Sequence, residues 1–306
     1  MLRYIRRRLL MTVPILFAVS VLVFMMVHLM PGDPARIIAG DSATEEDVEM
    51  IRKEMGLDKP LVQQYLTYVS NIFKGDLGMS MRTRRPVAVE ISSRLPNTVR
   101  LAAVAMVISV IFGVAVGVIS ASRPYSLSDN LSMVGALVGV SMPTFYLGLM
   151  LMLLFSVKMG WVPLLADGSL KGMILPAVTL AARPLALLAR MTRSSMLEVL
   201  NQDYILAARA QGLPERVVLY SRALKNCMTT ILTVAGLQFG HLLAGAVVTE
   251  QVFAWPGIGS LIVVSIRARD FPTIQACVLL IAVSFVLLNL LTDILYSVVN
   301  PRVRLG

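Results

Sequence analysis

The feature that most constrains this chain is the recurrence of apolar runs long enough to cross a bilayer. A helix gains about 1.5 Å per residue, so a hydrocarbon core roughly 30 Å thick takes about 20 largely apolar residues. Six segments reach that length: residues 9–30, 99–122, 131–157, 172–191, 229–253 and 274–299. With 57% of its 306 residues hydrophobic and only 15% charged, the chain has too little polar surface to hide so many runs in soluble cores. In lipid the backbone must satisfy its own hydrogen bonds, which helices do within one segment. The spacing predicts an all-α, polytopic membrane protein with six transmembrane helices.

A net charge of +10 would suggest nucleic acid in a soluble chain, but its placement gives another reason. Arg3, Arg6, Arg7 and Arg8 precede the first run. Arg190, Arg193, Arg209, Arg216, Arg222 and Lys225 cluster between the fourth and fifth, and Arg302 and Arg304 follow the last. With six spans these fall on one side together with Arg123, whereas the opposite short loops hold only Lys158, Lys171, Arg267 and Arg269. The positive-inside bias makes both termini and the 190–228 loop cytoplasmic. Lipid is then the expected surrounding, and no nucleic-acid partner is needed. The opening 1–30 segment exceeds the usual apolar core of a signal peptide and lacks an A-x-A-like site, so it reads as an uncleaved first helix. Cys227 and Cys277 fall at opposite ends of such a bundle, and no metal-ligand spacing occurs.

Residues 31–98 are expected to form an external helical cap ahead of a five-span core over 99–306. Ser42 or Thr44 can cap a helix through EEDVEMIRKEM that Gly56 ends; Pro60 opens a second through LVQQYLTYVSNIF, closed by Gly75. Gly113 and Gly117 in the second span, and Gly236, Gly240 and Ala244 in the fifth, are small-residue stripes that permit close helix contact. Pro143, Pro176 and Pro184 should kink spans three and four.

Hydrolytic and nucleotide-binding patterns are missing: no H-E-x-x-H, no G-x-S-x-G and no Gly-Lys dipeptide for a phosphate loop. The chain is therefore not expected to be an enzyme or to hold a cofactor, and any energy must come from a partner. Polar residues within spans are functional candidates because burying them in hydrocarbon is costly. Arg183 falls near the middle of span four, Gln238 and His241 near the middle of span five, and Asn289 and Asp293 in the inner half of span six. Arg183, Gln238 and His241 are a candidate translocation path. The competing reading pairs Arg183 with Asp293 and leaves Gln238 and His241 as hydrogen-bonded packing. Beyond Glu250, the stretch QVFAWPGIGSLIVVSIRARDFP carries turn residues and an apolar segment too short to span. It dips back as a re-entrant or lid element, with Glu250, Pro256, Gly257 and Gly259 as a candidate external gate, or else packs as an ordinary loop with Trp255 in the interfacial belt.

Between spans four and five the loop 193–228 contains DYILAARAQGLPERVVLYSRALKN, residues 203–226. Asn201 or Asp203 can cap a helix over 204–211, Gly212 suits a left-handed terminus, and Pro214 begins a second short helix. Ala207 and Ala208 give the first helix a low profile that a groove can approach.

The pattern A-A-x-x-x-G formed by Ala207, Ala208 and Gly212 resembles the EAA loop of permease subunits in ABC importers. Leu206 stands where that consensus has Glu, and Thr230 where a Pro is usual. PGDPAR, GLDKPLVQQY, GDLGMSMRTRRPV, RLPNTVRLA, ILPAVTLA, TEQVFAWPGIGSL, RDFP and the closing NPR, in this order, are similar to the peptide/nickel branch of that family. The resemblance covers almost the whole chain, and is greatest to the first permease of dipeptide, oligopeptide and glutathione import systems. It implies a type I importer permease fold in a bacterial inner membrane. It also implies a homologous second permease, two cytoplasmic ATPase subunits that bind ATP and Mg, and an external solute-binding protein. Asp203, Ala207, Ala208, Arg209, Gly212 and Leu213 would be the coupling element that docks on an ATPase. Small peptides would be the cargo, with nickel or another small solute as the alternative. An ATPase-independent secondary carrier and a non-transporting assembly factor are the rivals from other classes.

Overall fold

A computed structural model describes residues 2–29, 33–39, 43–54, 56–166 and 169–299. The chain begins with α1 (Leu2–Leu29), followed by α2 (Pro34–Ala39), α3 (Glu45–Glu54) and α4 (Leu61–Phe73) outside the main bundle. The bundle itself is built from α5 (Val87–Ser122), α6 (Leu127–Ser141), α7 (Thr144–Leu151, running on as a π-helix over Met152–Lys158) and α8 (Leu170–Leu200). Next come α9 (Asp203–Ala210), α10 (Glu215–Val217) with a π-helical stretch Val218–Ala223, α11 (Leu224–Val252), α12 (Ile258–Arg267) and α13 (Phe271–Val299).

Among the described residues, four helices are long and apolar enough to cross a bilayer: Leu10–Leu29, Val87–Ser122, Leu170–Leu200 and Phe271–Thr292. Two bent pairs bring the number to six if each is one span: Leu127–Ser141 with Thr144–Lys158, bent by 109°, and Glu215–Leu243 with Ala246–Val252, bent by 52°. The six expected spans correspond to these four helices and, on that count, to the two bent pairs. Pro143 causes the first break, since it holds Met142 extended (ψ 130°) and supplies no N–H to continue the helix. Helix α8, in contrast, runs unbroken through Pro176 and Pro184. The second span's helix starts at Val87, well ahead of its apolar run, because Pro86 N-caps a segment that stays helical through Pro96.

The packing of α5 on α8 depends on the expected small residues. A Cβ on Gly117 would come within 2.5 Å of Thr192 Cβ and 2.6 Å of the Ala189 carbonyl, and one on Gly113 within 2.8 Å of the Leu185 carbonyl. Hydrogen at these positions is what lets the two backbones touch. Gly236 and Gly240 play the same part where α11 meets Thr292 and Phe285 of α13; the side chain of residue 244 lies outside those described. The core gathers Leu101, Leu175, Leu180, Phe253 and Trp255. Val107, Ile111, Leu131 and Leu137 remain exposed on the perimeter, as lipid-facing side chains do.

At the α5–α6 corner, Asp129 is 1% exposed and takes a bidentate pair of bonds from Arg193 Nε and Nη2, both 2.6 Å. Ser120 Oγ and the Tyr125 N–H (2.8 Å) complete its shell. Arg193 is therefore committed to tying α8 to α6, and is not a free cytoplasmic charge.

Outside the bundle, Thr44 caps α3 in a reciprocal box: its hydroxyl accepts the Asp47 N–H (3.3 Å), and the Asp47 carboxylate accepts the Thr44 N–H (3.1 Å). The alternative cap, Ser42, lies outside the described residues. Helix α4 joins α1 through His28 Nε2, 3.0 Å from Gln64 Oε1, and through Ser20 and Tyr65, 2.7 Å apart.

Candidate functional site

The hairpin between spans four and five presents one short helix and a turn. Neither Asn201 nor Asp203 caps α9: Gln202 occupies the N-cap without a side-chain bond, and Asn201 instead ends α8, its amide donating to the Leu197 carbonyl (3.0 Å). Asp203 sits in the first turn, where the helix dipole favours a carboxylate. Ile205 and Ala208 are buried, and Ile205 packs in the cluster that contains Val218 and Ala223. The outward face carries Tyr204, Leu206, Ala207 and Arg209.

Past α9, Gly212 has φ +79°, and the Leu213 N–H returns to the Ala208 carbonyl (3.3 Å), closing the helix end. Arg209 then reaches over this turn to Glu215. A helix begins after Pro214, as expected, with Pro214 at its N-cap, but it is not a short separate element. Residues 215–223 continue directly into α11, because no breaker follows Pro214 before the apolar run begins. Residues 215–223 are thus the foot of the fifth span, and α9 packs against them through Ile205.

A polar cleft opens higher in the bundle. Arg183, Gln238 and His241, chosen separately from the sequence, line one cavity of about 600 Å³ together with Arg190, Thr144 and Pro184. It lies where α8 faces α11 beside the Pro143 break. Among the described residues neither Arg183 nor Arg190 has an ion-pair partner. The pairing weighed for Arg183 falls on Asp293, whose side chain lies outside those described. Asn289 lines a different cavity, between α1 and α13. Arg190, which its sequence position places among the cytoplasmic charges, lies two helical turns from Arg183 on the same helix.

The four candidate gate residues meet at the α11–α12 junction. Glu250 is fully buried; its carboxylate accepts the Thr98 hydroxyl (2.7 Å) and the Ser260 N–H (3.0 Å), while Thr98 Oγ1 accepts the Ile258 N–H (2.8 Å). The carboxylate thus sits at the N-terminus of α12, where free N–H groups and the helix dipole favour it. A Cβ on Gly257 would overlap that carboxylate, and one on Gly259 would overlap the Val247 backbone. The Pro256 carbonyl accepts from Asn97 Nδ2 (2.9 Å). Trp255 is not in an interfacial belt: it is fully buried and donates its indole N–H to the Asn97 carbonyl (3.1 Å). Sequence reasoning missed Asp270, which accepts from Ser80 Oγ (2.5 Å), the Met81 N–H (3.0 Å) and Thr273 Oγ1 (2.8 Å) and so fastens the 78–86 loop to α13. The RDFP motif was the only hint.

Comparison with known proteins adds the family. Residues 113–305 match the model described as "Binding-protein-dependent transport system inner membrane component", and residues 1–102 match its N-terminal counterpart. The chain is 48% identical over 304 residues to the glutathione transport system permease protein GsiC of Escherichia coli (strain K12), covering 99% of both chains. Identity and coverage are the same for the protein of that name from Shigella dysenteriae serotype 1. Among solved structures, an inward-facing MetNI methionine ABC transporter chain superposes with a TM-score of 0.56 at 17% identity, covering 69% of this chain and 96% of that one, a likeness of fold. This chain is a multi-pass inner-membrane transport subunit, not an enzyme, and belongs to the family of binding-protein-dependent transport system inner membrane components, the permease subunits of ABC importers.

Proposed function

We propose that this permease carries small peptides, glutathione among them, into the cell as one of two homologous membrane subunits. The observation that carries the reading is the 48% identity to a glutathione permease over 304 residues, 99% of this chain. Two ATPase partners would bind ATP and Mg, and an external solute-binding protein would deliver the peptide. Both termini and α9 face the cytoplasm in this reading, following the arginine bias. Closure of the ATPases pulls on residues 203–213, and because α9 is joined to the foot of α11 through the Gly212 turn and the Arg209–Glu215 pair, the pull moves the fifth span. That span carries Gln238 and His241 in the cleft at mid-height and Glu250 at its outer end. Glu250, Pro256, Gly257 and Gly259 then hinge α12 as the outer gate. A free nickel cation suits the cleft poorly, since its lining among the described residues holds two guanidinium groups and no carboxylate.

Uptake of radiolabelled glutathione and of a radiolabelled dipeptide in cells with and without this chain tests the reading. Loss of ATP-dependent uptake of either on deletion supports it. Unchanged uptake of both, with nickel or another solute lost instead, refutes it.

A further inference from the structure

The cleft has a charge pattern that packing does not need. Arg183 and Arg190 lie on the same exposed face of α8, and among the described residues no acidic side chain lines the cavity they share. Bare guanidinium groups within a span are costly, and they persist where water or an anion meets them. A guanidinium is a planar fork that matches a carboxylate with two parallel hydrogen bonds. Seven residues separate the two, which at helical rise is about 10 Å. An extended chain covers about 3.3–3.6 Å per residue, so a peptide of three residues spans roughly that distance. At about 600 Å³ the cavity is within the range that holds a small ligand.

We propose that Arg183 and Arg190 form a two-point carboxylate reader, and that the cleft takes short peptides bearing carboxylates at both ends. This rests on the peptide-import reading above. Each guanidinium holds one carboxylate, so a peptide with a carboxylate at each end is aligned along α8. Gln238 and His241, across the cleft on α11, supply hydrogen-bonding groups for the peptide units between them. The permease then contributes selectivity of its own, for anionic over neutral peptides.

The test uses the complete importer, with both permeases, the ATPases and the binding protein, in proteoliposomes. The probes are radiolabelled γ-Glu-Cys-Gly, with two carboxylates, and Gly-Gly-Gly, with one. Uptake is normalised to assembled complex for the unaltered protein and for Arg183→Gln, Arg190→Gln, Arg183→Lys and Arg190→Lys. Each Gln variant should lower γ-Glu-Cys-Gly uptake by at least about tenfold, the effect of one charge-assisted hydrogen bond. Gly-Gly-Gly uptake, where present, should fall less, and each Lys variant, which keeps the charge without the fork, should recover part of the lost rate. Gln variants that transport normally, or Lys variants that fail as badly as Gln, overturn the proposal. So does release of the second permease from the Gln variants during purification, since the arginines would then serve a subunit interface. Failure of the unaltered importer to carry either peptide defeats the peptide-import reading itself, and is distinguished by needing no variant.

Discussion

Arg209 and Glu215 clasp each other across the Gly212 turn, with Nη2 2.7 Å from Oε1 and Nε 3.3 Å from Oε2. The clasp joins the last turn of α9 to the first residue of the helix that becomes the fifth span. An ATPase that moves α9 therefore moves α11 with it. The pair is well exposed, at 39% and 55%, so its value lies in holding an angle more than in stability. Glu215→Gln should change unfolding free energy by less than about 1 kcal/mol. ATP hydrolysis per peptide transported should nevertheless rise, because coupling slips. Parallel ATPase and uptake assays in proteoliposomes measure this ratio.

Gly212→Val isolates the turn. The residue has φ +79°, and a Cβ there meets nothing within 4 Å, so the substitution costs backbone strain and no clash. That strain is about 1–2 kcal/mol, and relaxing it reorients α9. The expected result is normal membrane insertion with several-fold less ATPase recovered on the tagged chain, read by quantitative blotting.

Glu250 should tolerate Gln far better than Ala. Gln keeps an acceptor for Thr98 or Ser260, whereas Ala leaves that hydroxyl and N–H buried and unpaired. Glu250→Ala should cost about 3 kcal/mol or more from two orphaned groups, and the apparent Tm of the purified complex should fall accordingly. Glu250→Gln should sit between Ala and the unaltered protein. Equal Tm for all three would remove the anchoring role.

The Asp129–Arg193 pair predicts strong non-additivity. Asp129→Leu alone leaves a partly buried guanidinium unpaired and should destabilise by about 3–5 kcal/mol. Adding Arg193→Met should restore much of that, since the burial cost of both charges disappears together. A double-mutant cycle on thermal unfolding measures the coupling.

Gly117→Leu should prevent α5 from reaching α8, because the position is filled by Thr192 and the Ala189 carbonyl. Loss of assembled protein from the membrane, with unchanged transcript, is the expected outcome.

Spans, small-residue stripes and the Thr44 cap were legible because each rests on local composition or spacing. The convergence of Arg183, Gln238 and His241 was legible only as three polar residues at similar depth; their common cleft depends on α8 facing α11. Two errors have one cause, that local signals outrank continuity only when a breaker is present. Pro214 looked like the start of a short helix, yet nothing stops the helix before the membrane run. Asn201 has the side chain of an N-cap, yet α8 extends far enough to take it as its own C-cap. The buried Asp129–Arg193 and Ser80–Asp270 contacts were invisible, since they join positions 64 and 190 residues apart.

The account turns on whether α9 is held by an ATPase. Purifying the tagged chain from its native membrane in mild detergent, and identifying by mass what stays bound, tests this most directly. The account predicts recovery of ATPase subunits and a homologous second permease, with the ATPases reduced in Gly212→Val. A chain that emerges alone, or only as a homo-oligomer, under several mild conditions would contradict it.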